Sequence, residues 1–143
     1  MEKYKVGFTA GVFDMFHTGH LNLLRRAKEM CDYLIVGVNS NNLVEKYKGK
    51  KTVINEEQRI EIIEAIRYVN RVEIMESLNK VDAWKQFNFD VVFIGDDWKG
   101  TDRWIQTEYD LAQIGVKVIY VPYTKNVSST QLNPRYQDRV TES

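Results

Sequence analysis

The stretch that most constrains this chain is Gly11-Val-Phe-Asp-Met-Phe-His-Thr-Gly-His20, set between an apolar run at 6–10 and a helical pattern that starts near Thr18. A strand that passes through a glycine loop into a helix is the junction at which α/β proteins hold phosphate. The loop amides and the unpaired N–H groups of the first helical turn both present positive potential to an anion. Both histidines of the chain, His17 and His20, lie in this stretch. Three residues apart, they share one face if the first turn begins at Thr18. Gly19 between them has no Cβ, so a bulky ligand can approach the backbone. Imidazoles donate to phosphate oxygens in either charge state, and more strongly when protonated, from a reference pKa of about 6.5. A metal pair or two surface histidines would show the same spacing. The glycines, the strand and the helix together favour phosphate.

The rest of the chain repeats the alternation. Strands are expected at 5–10, 33–38, 71–75, 90–95 and 116–121, and helices at 18–30, from Asn55 through Ile66, at 81–87 and at 101–114. The continuous apolar run at 33–38 has the character of a strand covered on both faces of a parallel sheet. Five strands alternating with helices predict a Rossmann-like α/β fold with a doubly wound parallel sheet. A ligand at a switch point beside the first strand gives the order 3-2-1-4-5. The 143 residues are expected to form one domain, 1–143, with no linker or internal repeat.

The formal charge is +0, from 20 basic and 20 acidic side chains, so no global basic field argues for nucleic acid. A small acidic ligand must then be held by local clusters. No apolar run approaches membrane length and no apolar N-terminal signal-like region is seen, so a soluble cytoplasmic protein without a membrane partner is expected. The single cysteine, Cys31, excludes an internal disulfide, fits a reducing compartment and is expected to be buried in packing.

Four local clusters carry chemistry. Segment 39–55 is expected to be a loop with few core residues, bearing Lys46, Lys48, Lys50 and Lys51 around Gly49 on the ligand side of the sheet. Asn55 caps the next helix, with Glu56 and Glu57 in its first turn and Ile60, Ile63 and Ile66 as its buried stripe. Arg59 and Arg67, eight apart, fall roughly on one side of that helix. Gly95-Asp96-Asp97-Trp98 follows a strand; paired carboxylates there suit a cation or ribose site, or simply a turn. Ser128-Ser129-Thr130 precede a short polar tail, as an N-cap or as phosphate ligands. Trp84 is expected to be a packing residue, and Trp104, Ile105, Tyr109, Leu111 and Ala112 to form the inner face of the helix at 101–114. The tail from Asn133 is expected to be frayed or to serve as a small dimer arm.

The pattern Gly11-x-Phe13-Asp14-x-x-His17-x-Gly19-His20 resembles the signature of the cytidylyltransferase family within the HxGH nucleotidyltransferases. The likeness runs from Lys5 to about Leu132. Lys46-Tyr47-Lys48-Gly49 is similar to the family's K-x-K-G, Glu57-Gln58-Arg59 to its E-x-R, and Ile66-Arg67-Tyr68-Val69 to its I-R/K-Y/W-V. Gly95-Asp96-Asp97-Trp98 resembles the wording of the glycerol-3-phosphate branch, and 123–130 the segment R-T-x-G-[IV]-S-T-[TS]. Three positions depart from the pattern: Val12 stands for a frequent threonine, Tyr123 for the arginine and Asn126 for the glycine, with Lys125 as a substitute charge.

The resemblance implies transfer of CMP from CTP to a small phosphorylated alcohol, glycerol 3-phosphate first among the candidates, with release of pyrophosphate. CDP-glycerol for a teichoic acid or capsule polymer would be the product. It assigns His17, His20, Lys46 and Arg59 to catalysis. Ala10, Gly11, Val12, Phe13, Asp14, Gly19, Gly95, Asp97, Trp98, Thr124, Val127, Ser128, Ser129 and Thr130 go to the nucleotide. Lys46, Lys48, Arg59 and Arg67 go to the acceptor, while Lys50 and Lys51 are left to solvent. It further implies Mg²⁺ accompanying CTP, no protein metal ligands, and a homodimer. Phosphoethanolamine, phosphocholine or another polyol phosphate as acceptor, ATP in place of CTP as in an FAD synthetase, and a nucleotide-binding regulatory module remain open alternatives.

Overall fold

The computed structural model describes residues 3–122. The expectations placed on Thr124, Val127, Ser128, Ser129 and Thr130, and on Tyr123, Lys125 and Asn126, lie outside the described residues. Strands β1 (Tyr4–Gly11), β2 (Cys31–Asn39), β3 (Arg71–Met75), β4 (Val91–Gly95) and β5 (Lys117–Val121) form one sheet in the order β3-β2-β1-β4-β5. Every neighbouring pair is parallel. The expected class and strand order are both observed.

Parallel strands buried on two faces need apolar side chains on alternating sides, and β1, β2 and β4 supply them. One face carries Phe8, Ile35, Val92 and Ile94 under Ala83 and Trp104, which come from helices α4 (Lys80–Phe87) and α5 (Asp102–Ala112). The other carries Leu34, Val36, Val91 and Phe93 under Leu24 and Ala27 of α1 (Thr18–Glu29) and Ile63 of α3 (Glu56–Glu64). Trp84 packs against the first of these clusters, as expected of it, and Cys31 is fully buried in the second. The stacked rings of Phe8 and Phe89, 4.7 Å apart, tie β1 to the start of β4. The chain winds from β1 out to β3, then returns across the sheet through α4 to β4. The reversal leaves an open crevice at the C-terminal ends of β1 and β4.

Three local expectations are corrected. Residues Asn41–Lys48 are not loop but helix α2, capped by the Ser40 side chain, which accepts from Leu43 N, and closed by Gly49 at φ 67°. Buried Leu43 and Val44 and half-buried Tyr47 anchor it. In α5 only Trp104 and Leu111, two turns apart, meet the sheet. Ile105 and Tyr109 are 56% and 62% exposed, and Ala112 is exposed as well, because they fall outside that narrow stripe. Finally, α3 ends at Glu64, so Ile66 and Arg67 lie beyond the helix, and Arg67 does not share a face with Arg59.

Gly7 is where the sheet tolerates no side chain: a Cβ would stand 2.6 Å from Cε2 of Phe93 and 2.9 Å from Sγ of Cys31. Both neighbours are fully buried and have nowhere to go. Gly7→Ala is expected to lower the unfolding free energy by about 1–3 kcal/mol, measured by urea denaturation. A variant as stable as the parent would show that β1 and β4 pack more loosely than described.

Candidate active site

The histidine loop leaves β1 at the switch in strand order. Two of its residues, Phe13 and Met15, take left-handed backbone angles with φ of 55° and 48°. Such strain in non-glycine residues persists only where the surroundings enforce it. Phe13 is buried in the core. Asp14, 1% exposed, accepts from Val53 N at 2.7 Å and Ile54 N at 2.8 Å. The carboxylate thus pins the segment that precedes α3 against the loop.

The N-cap of α1 is His17 itself. Its Nδ1 accepts from Gly19 N at 3.0 Å, while Nδ1 of His20 accepts from His17 N at 3.2 Å. The two imidazoles form a reciprocal capping box, a role usually filled by Ser or Thr with Glu or Gln. Their rings stack 3.9 Å apart, and His20 is further held by Phe13 and Phe16 at 5.5 and 5.3 Å. A ring nitrogen that accepts a backbone N–H carries a lone pair. In the neutral ring the proton is therefore on Nε2 of both histidines. The caps fix the tautomer, and two N–H donors sit at a helix N-terminus.

The loop after β2 brings Asn39 and α2 to the same edge. Lys46 and Lys48 fall in the last turn of α2, Lys46 exposed, Lys48 half-buried with Nζ 5.4 Å from the Tyr47 ring. The Tyr47 hydroxyl accepts from Asn39 Nδ2 at 3.3 Å. After β4, Asp96–Trp98 form a single 3₁₀ turn; Asp97 is exposed, and Trp98 packs on the core beneath the Arg103 guanidinium, 5.4 Å from its ring. Ala10, Gly11 and Val12 line the buried end of β1. The structure thus gathers the residues expected from 10–20, Lys46, Lys48 and 95–98 at one end of the sheet. It does not bring Arg67 there: Arg67 precedes β3 at the opposite edge, exposed, donating to the Tyr68 hydroxyl at 3.0 Å. Arg59 is brought to the right edge but is 1% exposed beneath the loops, its donors turned to main-chain carbonyls.

Two cations were missed in the sequence. Lys80 opens α4 and is only 5% exposed, donating to Leu78 O at 3.1 Å above the Trp104 ring. Together with Arg103 it lines a groove of about 280 Å³ that also holds Asn79, Gln106, Thr107 and Asp110. Burial, with the neighbouring Arg103 charge, pulls the Lys80 amine down to about 7. A lysine at a helix start carries no sequence signal of burial. Only the packing of α4 against α5 closes the groove over it.

Among the described residues, no group of three or more His, Cys, Asp or Glu side chains is arranged to hold a metal ion. These residues make no protein cage for Mg²⁺. A cation arriving with a nucleotide would be held by polyphosphate oxygens and water. No described helix is long and apolar enough to cross a membrane.

Comparison with known proteins decides the family. A cytidylyltransferase-like family model matches residues 8–135. The chain belongs to the cytidylyltransferase-like family. It is 38% identical over 125 residues to a glycerol-3-phosphate cytidylyltransferase of Staphylococcus aureus, covering 87% of this chain and 89% of that protein. It is 39% identical over 127 residues to the enzyme of the same name from Bacillus spizizenii, covering 87% and 91%. An FAD synthase of Thermococcus sibiricus is 34% identical over 116 residues, covering 80% and 78%. Among solved structures, a lipopolysaccharide core biosynthesis protein from Thermoplasma volcanium superposes with a TM-score of 0.70 at 22% identity, over 87% of this chain and 99% of that one. That last likeness supports the fold alone.

The Lys80 amine ties stability to pH. Between about pH 7 and its ordinary value of 10.5, the unfolded chain holds a proton on this amine that the folded chain lacks. The unfolded state binds more protons there, so stability rises with pH through that window, and the penalty is fully present below about 7. Lys80→Met removes the penalty. Its Tm is expected to exceed that of the parent by more at pH 6 than at pH 9, measured by calorimetry. An equal gap at both pH values would contradict the buried, destabilised amine.

Proposed function

We propose that this protein transfers CMP from CTP to a small phosphorylated alcohol, most favourably glycerol 3-phosphate, giving CDP-glycerol and pyrophosphate. The observation that carries the reading is the pair of capped imidazoles at the N-terminus of α1, whose Nε2–H groups suit phosphate oxygens. The relatives named glycerol-3-phosphate cytidylyltransferase support the choice of acceptor.

In this reading an oxygen of the acceptor's phosphate attacks the α-phosphorus in line. The new P–O bond forms as the bond to the bridging oxygen breaks, and its electron pair leaves on pyrophosphate. The nucleophile is already anionic, so no general base is needed. Catalysis is positioning and neutralisation of charge. His20, held by three aromatic contacts, stabilises the α-phosphate in the transition state, and His17 supports the triphosphate. Lys46 and Lys48 at the end of α2 meet the acceptor's phosphate, with Arg103 adding positive charge from α5. Asp97 and Trp98 sit on the nucleoside side of the crevice, and Ser128, Ser129 and Thr130 are assigned to the β and γ phosphates. Mg²⁺ accompanies the nucleotide. A homodimer completes the reading, with Ile105 and Tyr109 as exposed apolar surface one turn apart on α5.

Pyrophosphate release with CTP and a panel of phospho-alcohols tests the assignment. CTP with glycerol 3-phosphate is expected to give the highest kcat/KM. The FAD synthase relative keeps adenylyl transfer as the second reading, and equal use of ATP would favour it. In the same assay, His20→Ala is expected to lower kcat by about 10²–10³ while far-UV circular dichroism is retained. Turnover near that of the parent would remove His20 from the chemistry.

A further inference from the structure

Arg59 lies where the ends of β1 and β2 and the segment before α3 meet. Its Nη1 donates to Val12 O at 2.8 Å and to Asn39 O at 2.7 Å. Nε donates to Ile54 O at 2.9 Å, and Nη2 to Asn41 Oδ1 at 2.6 Å. Val12 opens the histidine loop, Asn39 ends β2, Asn41 begins α2, and Ile54 precedes α3. The side chain is 1% exposed. Asp14 completes the arrangement from the loop side, so Ile54 is held by its N–H through Asp14 and by its C=O through Arg59.

We propose that Arg59 is a positioning residue: it locks the histidine loop to the root of α2, so that the imidazoles of α1 and the lysines of α2 keep one fixed separation. This goes beyond the proposed CMP transfer, and its kinetic test rests on that reading. The carbonyls at the ends of parallel strands have no ladder partner, and buried carbonyls need donors. A guanidinium supplies donors in a rigid planar fork that points at several acceptors at once. An ammonium donates from a single atom and cannot reach carbonyls set around both Nε and Nη. The charge of Arg59 is spent on backbone dipoles and an amide oxygen, which leaves it poorly disposed to meet a phosphate as well. Small displacements of a reacting group cost large factors in rate, so the lock should appear in kcat.

The test compares Arg59→Lys with the parent. In the folded variant, kcat for the CTP reaction is expected to fall by about tenfold or more. The KM values for CTP and glycerol 3-phosphate should each stay within about threefold of the parent. A direct phosphate contact predicts the reverse: lysine keeps the charge, kcat holds, and the acceptor KM rises. A second readout needs no substrate. The Nε2 resonances of His17 and His20 in ¹⁵N NMR of the ligand-free protein should shift in Arg59→Lys, because the loop that carries them is released. Should Arg59→Lys fail to fold, Asn41→Ala, which deletes only one acceptor of the fork, takes its place with the same two readouts and a smaller fall in kcat. Unchanged imidazole resonances, or a rise in acceptor KM of more than about tenfold with kcat retained, overturns the positioning role. If the parent turns over no phospho-alcohol, the function reading fails, while the resonance test still decides the lock.

Discussion

The architecture depends on β1 being paired in parallel on both sides, with β2 along most of its length and with β4 through Gly7 and Phe8. A strand with two parallel partners cannot continue into either by a hairpin, so its chain must leave through a crossover. The crossovers on its two sides run in opposite directions, and right-handedness then puts α1 and α3 on one face and α4 and α5 on the other. The loops after β1 and β4 are forced apart at that point. Every residue expected at the nucleotide within the described chain falls in one of those two segments, at the adjoining ends of β1 and β4, or in the first turn of α1.

Within the crevice, secondary structure and chemistry share the same atoms. The backbone N–H groups of His17 and Gly19 are among those that the first turn of α1 cannot satisfy. The imidazoles satisfy them and in doing so commit Nδ1 of both rings to the protein, which places the ring proton of the neutral form on Nε2. A serine or threonine cap would satisfy the helix equally well but has no second nitrogen on the same side chain. The ring stack of Phe16, His20 and His17, together with Phe13, restricts the remaining rotation of His20. The helix start is thereby a rigid pair of donors rather than a loop carrying two mobile side chains.

Beyond the β1–β2 pairing and the packing of Leu43 and Tyr47, polar staples join the lysine side of the crevice to the histidine side. Asp14 and Arg59 hold the chain between α2 and α3 through its main chain, and Ser40 both caps α2 and donates to Glu76 beyond β3. These groups are buried and hydrogen-bonded, so breaking one leaves others unsatisfied. That coupling is the physical reason a residue beneath the loops can govern the geometry above them.

The sequence by itself determined the alternation of the five strands with helices, the strand order and the place of the strand–loop–helix junction that carries both histidines. Those follow from local period and from glycines and caps whose effects act within a few residues. It also located Asn55 as a cap and Trp84 as a packing residue. It read 41–48 as loop because an eight-residue helix has only Leu43, Val44 and Tyr47 to mark its inner face. It placed Arg59 and Arg67 together because spacing was extended past the point where α3 ends. What only the tertiary structure decided was the direction each polar side chain takes: Arg59 inward to carbonyls, Lys80 under α5, and Nδ1 of both histidines back to the helix. Residue type gives a side chain its donors and acceptors, but which of them remain for a ligand is set by the unsatisfied backbone groups that packing brings within reach.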